Sequence, residues 1–102
     1  MTEQWFALLH TPGPAVPAGQ SVFDQPGFAE HVGFLRQLAA DGLLIAAGPL
    51  TDSDGDGLTV IRAESAAQAQ QLAELQDGSV RAGVLRVRVR PWQVLLAPIA
   101  ES

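Results

Sequence analysis

The chain has 102 residues, 47% of them apolar and 17% charged, with no cysteine and a formal charge of −5 at pH 7. This length suits one hydrophobic core rather than two, the composition is not that of a disordered chain, and the lack of cysteine excludes disulfides and thiolate metal sites. The negative charge and the absence of an apolar run near the ~20 residues that span a bilayer argue against nucleic acid or membrane as partners, and with no basic, apolar leader the cytoplasm is the expected location.

Residues 4–10 predict a first strand that is apolar on both faces, with Trp5, Ala7 and Leu9 on one side and Phe6, Leu8 and His10 on the other. Such a strand belongs in the middle of a sheet. A proline-rich stretch over 11–26 follows, longer than an ordinary connection, and reads as a surface excursion or a lid. A helix is expected from Pro26 to Asp41-Gly42, because proline suits a first helical turn and glycine suits the left-handed closing position. Phe28, His31, Val32, Leu35, Leu38 and Ala39 share one face of it, and Phe34 widens that stripe.

Leu43 to Leu50 and Leu58 to Glu64 predict a hairpin joined through TDSDGDG. Ser65 and Gln68 have the spacing of a capping box, opening a second helix that should run to about Leu75 with Ala66, Ala69, Leu72 and Ala73 inward. Asp77-Gly78-Ser79-Val80 can start a short turn. From Val84 to Leu95 the chain alternates, with Leu85, Val87 and Val89 on one face and Arg86, Arg88 and Arg90 on the other. The order strand, helix, strand, strand, helix, strand is the ferredoxin-like α+β arrangement, one domain over 1–102. Phe6, Leu8, Trp92 and Val94 are expected on the sheet face without helices, which makes a homodimer, or a larger assembly, the expected state.

His31 interrupts an apolar helical face and reads either as a proton-transfer residue or as a core histidine with satisfied nitrogens. Asp77 reads as a helix cap that can also fix the tautomer of a nearby imidazole. His10, at a strand end, is either a polar terminus or a ligand contact. Arg86, Arg88 and Arg90 form either a half-exposed strand face or a wall that binds a small organic anion. Asp52, Asp54 and Asp56 resemble the opening of a calcium loop, but the twelfth position is Ala63, so a solvated turn is expected. No phosphate loop, dinucleotide fingerprint, nucleophile elbow or histidine pair at metal-ligand spacing is present, and neither cofactor nor metal is expected.

The run HVGFLRQLAADGLLIAAGPLTDSDGDG, the segment DGSVRAGVLRVRVRPWQVL and the terminal RPW together resemble the YCII-related family over roughly His31 to Leu96, with the first strand also fitting. The resemblance implies a dimeric α+β barrel of ferredoxin-like subunits. It also implies enzymatic activity from a histidine in the first helix close to an aspartate before the last strand, here His31 and Asp77. The chain departs from the family in having Gly78 where a proline usually follows that aspartate. The resulting expectation is a cofactor-independent lyase, isomerase or dehydrochlorinase-like enzyme for a cyclic or unsaturated organic acid or phenol, with His10 and the three arginines binding substrate. The alternative is a noncatalytic dimeric domain that holds a small anion.

Overall fold

The computed structural model describes residues 4–98. Strand β1 (Gln4–Pro12) is followed by a 3-10 turn (Val22–Asp24) and helix α1 (Phe28–Ala40). Strands β2 (Leu44–Pro49) and β3 (Gly57–Arg62) form the hairpin, and helix α2 (Ala66–Gln71) passes directly into a π turn (Leu72–Gln76). A short helix α3 (Gly78–Arg81) leads into strand β4 (Leu85–Gln93). The sheet is antiparallel throughout, in the order β2-β3-β1-β4, so β1 is central as its two apolar faces require.

The expected strict βαββαβ subunit of a dimeric α+β barrel is corrected by this architecture. The four-stranded sheet is open: β2 and β4 are its edges, and two strands stand between them, so the sheet does not close into a barrel. The helical order also differs, because α2, a π turn and α3 occupy the connection that one helix was expected to fill. The cause is local. Asp77 adopts an extended backbone at φ −90° and ψ 106°, which ends one helical segment, and its side chain caps the next.

Helix α1 begins at Phe28 with Gly27 as its cap, two residues past the expected start at Pro26, while the other helix signals are followed more closely. Asp41 closes α1, with Gly42 after it at φ 74°, the conformation that favours glycine. The Ser65 hydroxyl accepts from the Gln68 amide at 3.1 Å, as a capping box requires. The Gln68 side chain, however, accepts from the amide of Glu64 at 2.7 Å, one residue before the cap.

The core lies between the sheet and the helices. Phe6, Leu8 and Ile61 from the strands meet Phe34 and Leu38 of α1 and Ala69 and Ala73 of the second helical segment. Each large side chain removed from water here contributes about 1.5–3 kcal/mol. Phe6 and Leu8 therefore face the helices, which corrects their expected place on the uncovered sheet face. That outer face carries Trp92, as expected, and Trp5 in their place, the two paired in register and meeting edge to face at 5.7 Å.

The long connection over 11–26 is laced onto the start of β4. The Gly13 amide donates to the Val84 carbonyl at 2.8 Å, and the Ala15 amide to the Gly83 carbonyl at 2.9 Å. Val22, buried with Val84 and Leu85, anchors the far end of the stretch.

Candidate active site

His31 lies one turn into α1, where the helix turns the ring toward the sheet. Asp77 enters from the other helical segment. The π turn before it and the cap of α3 after it place its carboxylate at full burial, 0% exposed. Oδ1 accepts from the Ser79 amide at 3.0 Å and from the Ser79 hydroxyl at 2.7 Å. Oδ2 lies 2.7 Å from His31 Nδ1. Gly78 permits the close approach of α3 to α1, since a Cβ there would lie 3.0 Å from the Glu30 side chain, next to His31.

His10 completes the group. It points to the helix side of β1 together with Phe6 and Leu8, and its Nε2 lies 3.8 Å from Asp77 Oδ2. Its ring meets that of His31 in a T-shaped contact at 4.7 Å between centroids. His10 is 2% exposed, whereas the His31 side chain is 12% exposed. Both His10 ring nitrogens are buried without a hydrogen-bond partner. Each such atom carries a desolvation cost of about 1–3 kcal/mol unless something fills its valence.

Burial and neighbouring groups act differently on His10 and on Asp77. Burial pulls the His10 pKa from 6.5 down to about 4, helped by the charge of His31 and opposed by Asp77. For Asp77, burial pushes upward, but hydrogen bonds from His31 and Ser79 and the His31 charge outweigh it, so the carboxyl sits below its ordinary value. An ionised carboxylate only accepts hydrogen bonds, so His31 Nδ1 carries the proton of that 2.7 Å bond. In the neutral ring Nε2 is then an unprotonated acceptor.

Beside the pair lies a cleft of about 330 Å³. His10 and His31 contribute to its wall, Phe28, Val32 and Leu35 of α1 form one side, and Phe23, Pro49 and Leu85 close the others. Gly55 and Asp56 of the hairpin loop and Gly57 at the start of β3 edge it. The lining is strongly apolar. Its volume lies at the small end of the range for small-molecule pockets.

The structure thus brings together His31, Asp77 and His10, a buried cluster consistent with a His/Asp-dependent enzymatic site. It does not bring Arg86, Arg88 and Arg90 there. Their β1 partners are Thr11, Leu9 and Ala7, so they stand on the sheet face opposite His10, and all three are exposed. Phe28, Val32 and Leu35 were visible as neighbours of His31 on one helical face. Phe23 and the hairpin glycines were not, because they arrive from loops without a periodic pattern. Asp52 and Asp54 are exposed, and Asp54 accepts from the Ser21 hydroxyl at 3.4 Å, tying the hairpin loop to the long connection.

Among the described residues no helix is long and apolar enough to cross a membrane. No curated protein matches the sequence. Among solved structures, the chain is similar to 5-chloro-2-hydroxyhydroquinone dehydrochlorinase from Burkholderia phenoliruptrix AC1100, in complex with 2,5-dihydroxybenzoquinone. The TM-score is 0.62 at 18% identity, covering 86% of this chain and 93% of that one, a likeness of fold. The YCII-related domain matches residues 5–93, which takes in the four strands except Gln4 and the whole His10, His31 and Asp77 cluster, and the chain belongs to the YCII-related family.

Proposed function

We propose that the protein is a cofactor-independent proton-transfer enzyme, a lyase or isomerase of dehydrochlorinase-like type, acting on a phenol or another unsaturated ring. The observation that carries this reading is the 2.7 Å contact between His31 Nδ1 and the buried Asp77 carboxylate at the edge of an apolar cleft. With its Nδ1 proton held by Asp77, His31 presents Nε2 as the base. It removes a proton from a ring hydroxyl or carbon, and the released electron pair either shifts a double bond or expels a leaving group such as chloride. Asp77 stabilises the imidazolium that forms and keeps the ring oriented.

The arginines enter this scheme differently from the sequence-based expectation. The cleft lining contributes no guanidinium, so the negative charge that develops on the substrate is balanced by imidazolium at His31. Asp56 at the cleft edge disfavours carboxylate ligands, which supports the phenol over the organic acid. The similarity in fold to a dehydrochlorinase supports the same choice. The alternative of a noncatalytic anion-binding domain needs an arginine wall, and that wall lies on the other sheet face.

The test is turnover of chlorinated and unsubstituted hydroquinones by wild type and by His31→Ala. The variant should stay folded, since His31 is at the cleft, and lose about 10²–10⁴ in kcat. Equal turnover by the two proteins overturns the proposal. A homodimer belongs to the same reading, with Trp92 left 47% exposed on the outer sheet face as the place for it. Sedimentation as a 10.7 kDa species at working concentration removes that part.

A further inference from the structure

His10 sits deeper than the proton-transfer scheme requires. It is 2% exposed, neither ring nitrogen has a partner, and it lies against the same carboxylate oxygen that His31 uses. One ligand atom from each of His10, His31 and Asp77 falls within 4.8 Å of the others. We propose that these three side chains bind a divalent transition-metal ion of the zinc, cobalt or nickel class, and that an occupied site holds the His31–Asp77 pair inactive. The metal site stands independently of the proposed reaction; only the inhibition rests on it.

The donor set selects the class of ion. Two imidazoles and one carboxylate suit zinc, cobalt, nickel and copper, whereas magnesium and calcium favour all-oxygen shells. Metal–donor distances of about 2.0–2.2 Å place neighbouring donors roughly 3–3.5 Å apart. The 2.7 Å spacing between His31 and Asp77 must open slightly and the 3.8 Å spacing between His10 and Asp77 must close slightly. The donor atoms of His10 and His31, within 4.8 Å of each other, must approach to the same range. Asp77 needs no reorganisation, because Ser79 already fixes its other oxygen through the backbone amide and the hydroxyl. Asp52 and Asp54, which are exposed, and the half-buried Asp56 lack these features: they come from one loop and bring no buried unpartnered donor.

Coordination changes the tautomer of His31. Its Nδ1 gives up the hydrogen bond to Asp77 and takes the metal, and in the neutral ring the proton moves to Nε2, so no net proton is lost. The nitrogen that serves as the base in the metal-free enzyme then carries a hydrogen. His10's second nitrogen has no protein brace, so binding about 10–100-fold weaker than at a fully braced site with the same donors is expected.

The experiment titrates metal-stripped protein with cobalt(II) chloride and follows the visible d–d bands, with wild type, His10→Ala, His31→Ala and Asp54→Asn compared. One cobalt per chain, with intense bands in wild type and Asp54→Asn and a loss of more than about 100-fold in affinity in the two histidine variants, is the expected result. Absent bands in wild type, bands that persist in His10→Ala, or bands lost in Asp54→Asn overturn the site. Because His10→Ala opens a gap beside the core, zinc titration of wild type by NMR supplies a second reading. Ring resonances of both His10 and His31 must shift together, and if either stays fixed the site is refuted. Zinc should also suppress hydroquinone turnover, and chelator should restore it. Turnover unaffected by bound zinc removes the inhibition alone, while His31-independent turnover removes the proposed reaction and leaves the cobalt spectrum to decide the site.

Discussion

Asp77 divides its two oxygens between jobs: Oδ1 accepts both Ser79 donors and Oδ2 faces the two histidines. His10, beside it, is held neutral by burial, with its pKa at about 4 instead of 6.5. As pH falls below 6.5 the unfolded chain takes up a proton that folded His10 refuses until about 4, so stability drops across this window and levels off below it. The loss is roughly 3 kcal/mol at most. Asp77 acts at lower pH: its folded value is depressed, so its contribution is present above the unfolded value and disappears in acid beneath it. Urea unfolding at a series of pH values should show the first decline in wild type, and His10→Phe should flatten it. His31 and Asp77 were legible as chemical candidates because one interrupts an apolar stripe and the other precedes a glycine at a turn. Their meeting was not, for 46 residues separate them and no local pattern encodes the contact.

At the scale of elements, the segment from Ser65 to Arg81 decides where the carboxylate goes. The capping box marked the start of α2, and of the residues expected inward Ala69 and Ala73 are buried and Leu72 half-buried, whereas Ala66 is exposed. The expected uninterrupted helix to Leu75 is instead α2 followed by a π turn, which accommodates an extra residue per turn before Asp77. Hydrophobic spacing does not reveal that widening, because its effect is to rotate Asp77 and α3 about the helix axis while leaving the apolar pattern unchanged. Deleting Glu74, an exposed residue of the π turn, should restore α-helical spacing and swing Asp77 by about 100°. The chain should remain folded and lose the His31 contact, seen as loss of the hydrogen-bonded Nδ1 proton signal in NMR. Ser65→Ala tests the start of the same segment and should cost about 1 kcal/mol in unfolding free energy.

The whole molecule keeps two faces of one sheet apart. Composition and alternation were enough to give an α+β chain with a central first strand and an apolar face on β4. They placed Phe6 and Leu8 on the wrong face of β1, since both faces are apolar and either can meet the helices; the structure sends Phe6, Leu8 and His10 inward and the three arginines away. The cleft depends on two loops meeting at its edge. Gly55, at φ 99°, packs against Val22 and Pro12, where a Cβ would lie 2.5 Å from the Val22 side chain. Gly55→Val should therefore push the hairpin loop off the long connection and weaken binding of a hydroquinone probe at least tenfold, while leaving the His31–Asp77 contact intact. Unchanged affinity in a ligand titration would show that this edge does not shape the cleft.

The same separation of faces governs what light reports about the protein. With two tryptophans and no tyrosine, the near-ultraviolet absorption is almost entirely indole, and the two indoles are neighbours on the outer face of the sheet. Their edge-to-face arrangement couples their excited states, so a circular dichroism band from the pair signals that β1 and β4 are in register. The intervening sheet shields them from the cleft. Emission should follow global unfolding closely and stay nearly unchanged when a ligand that does not absorb there enters beside His31.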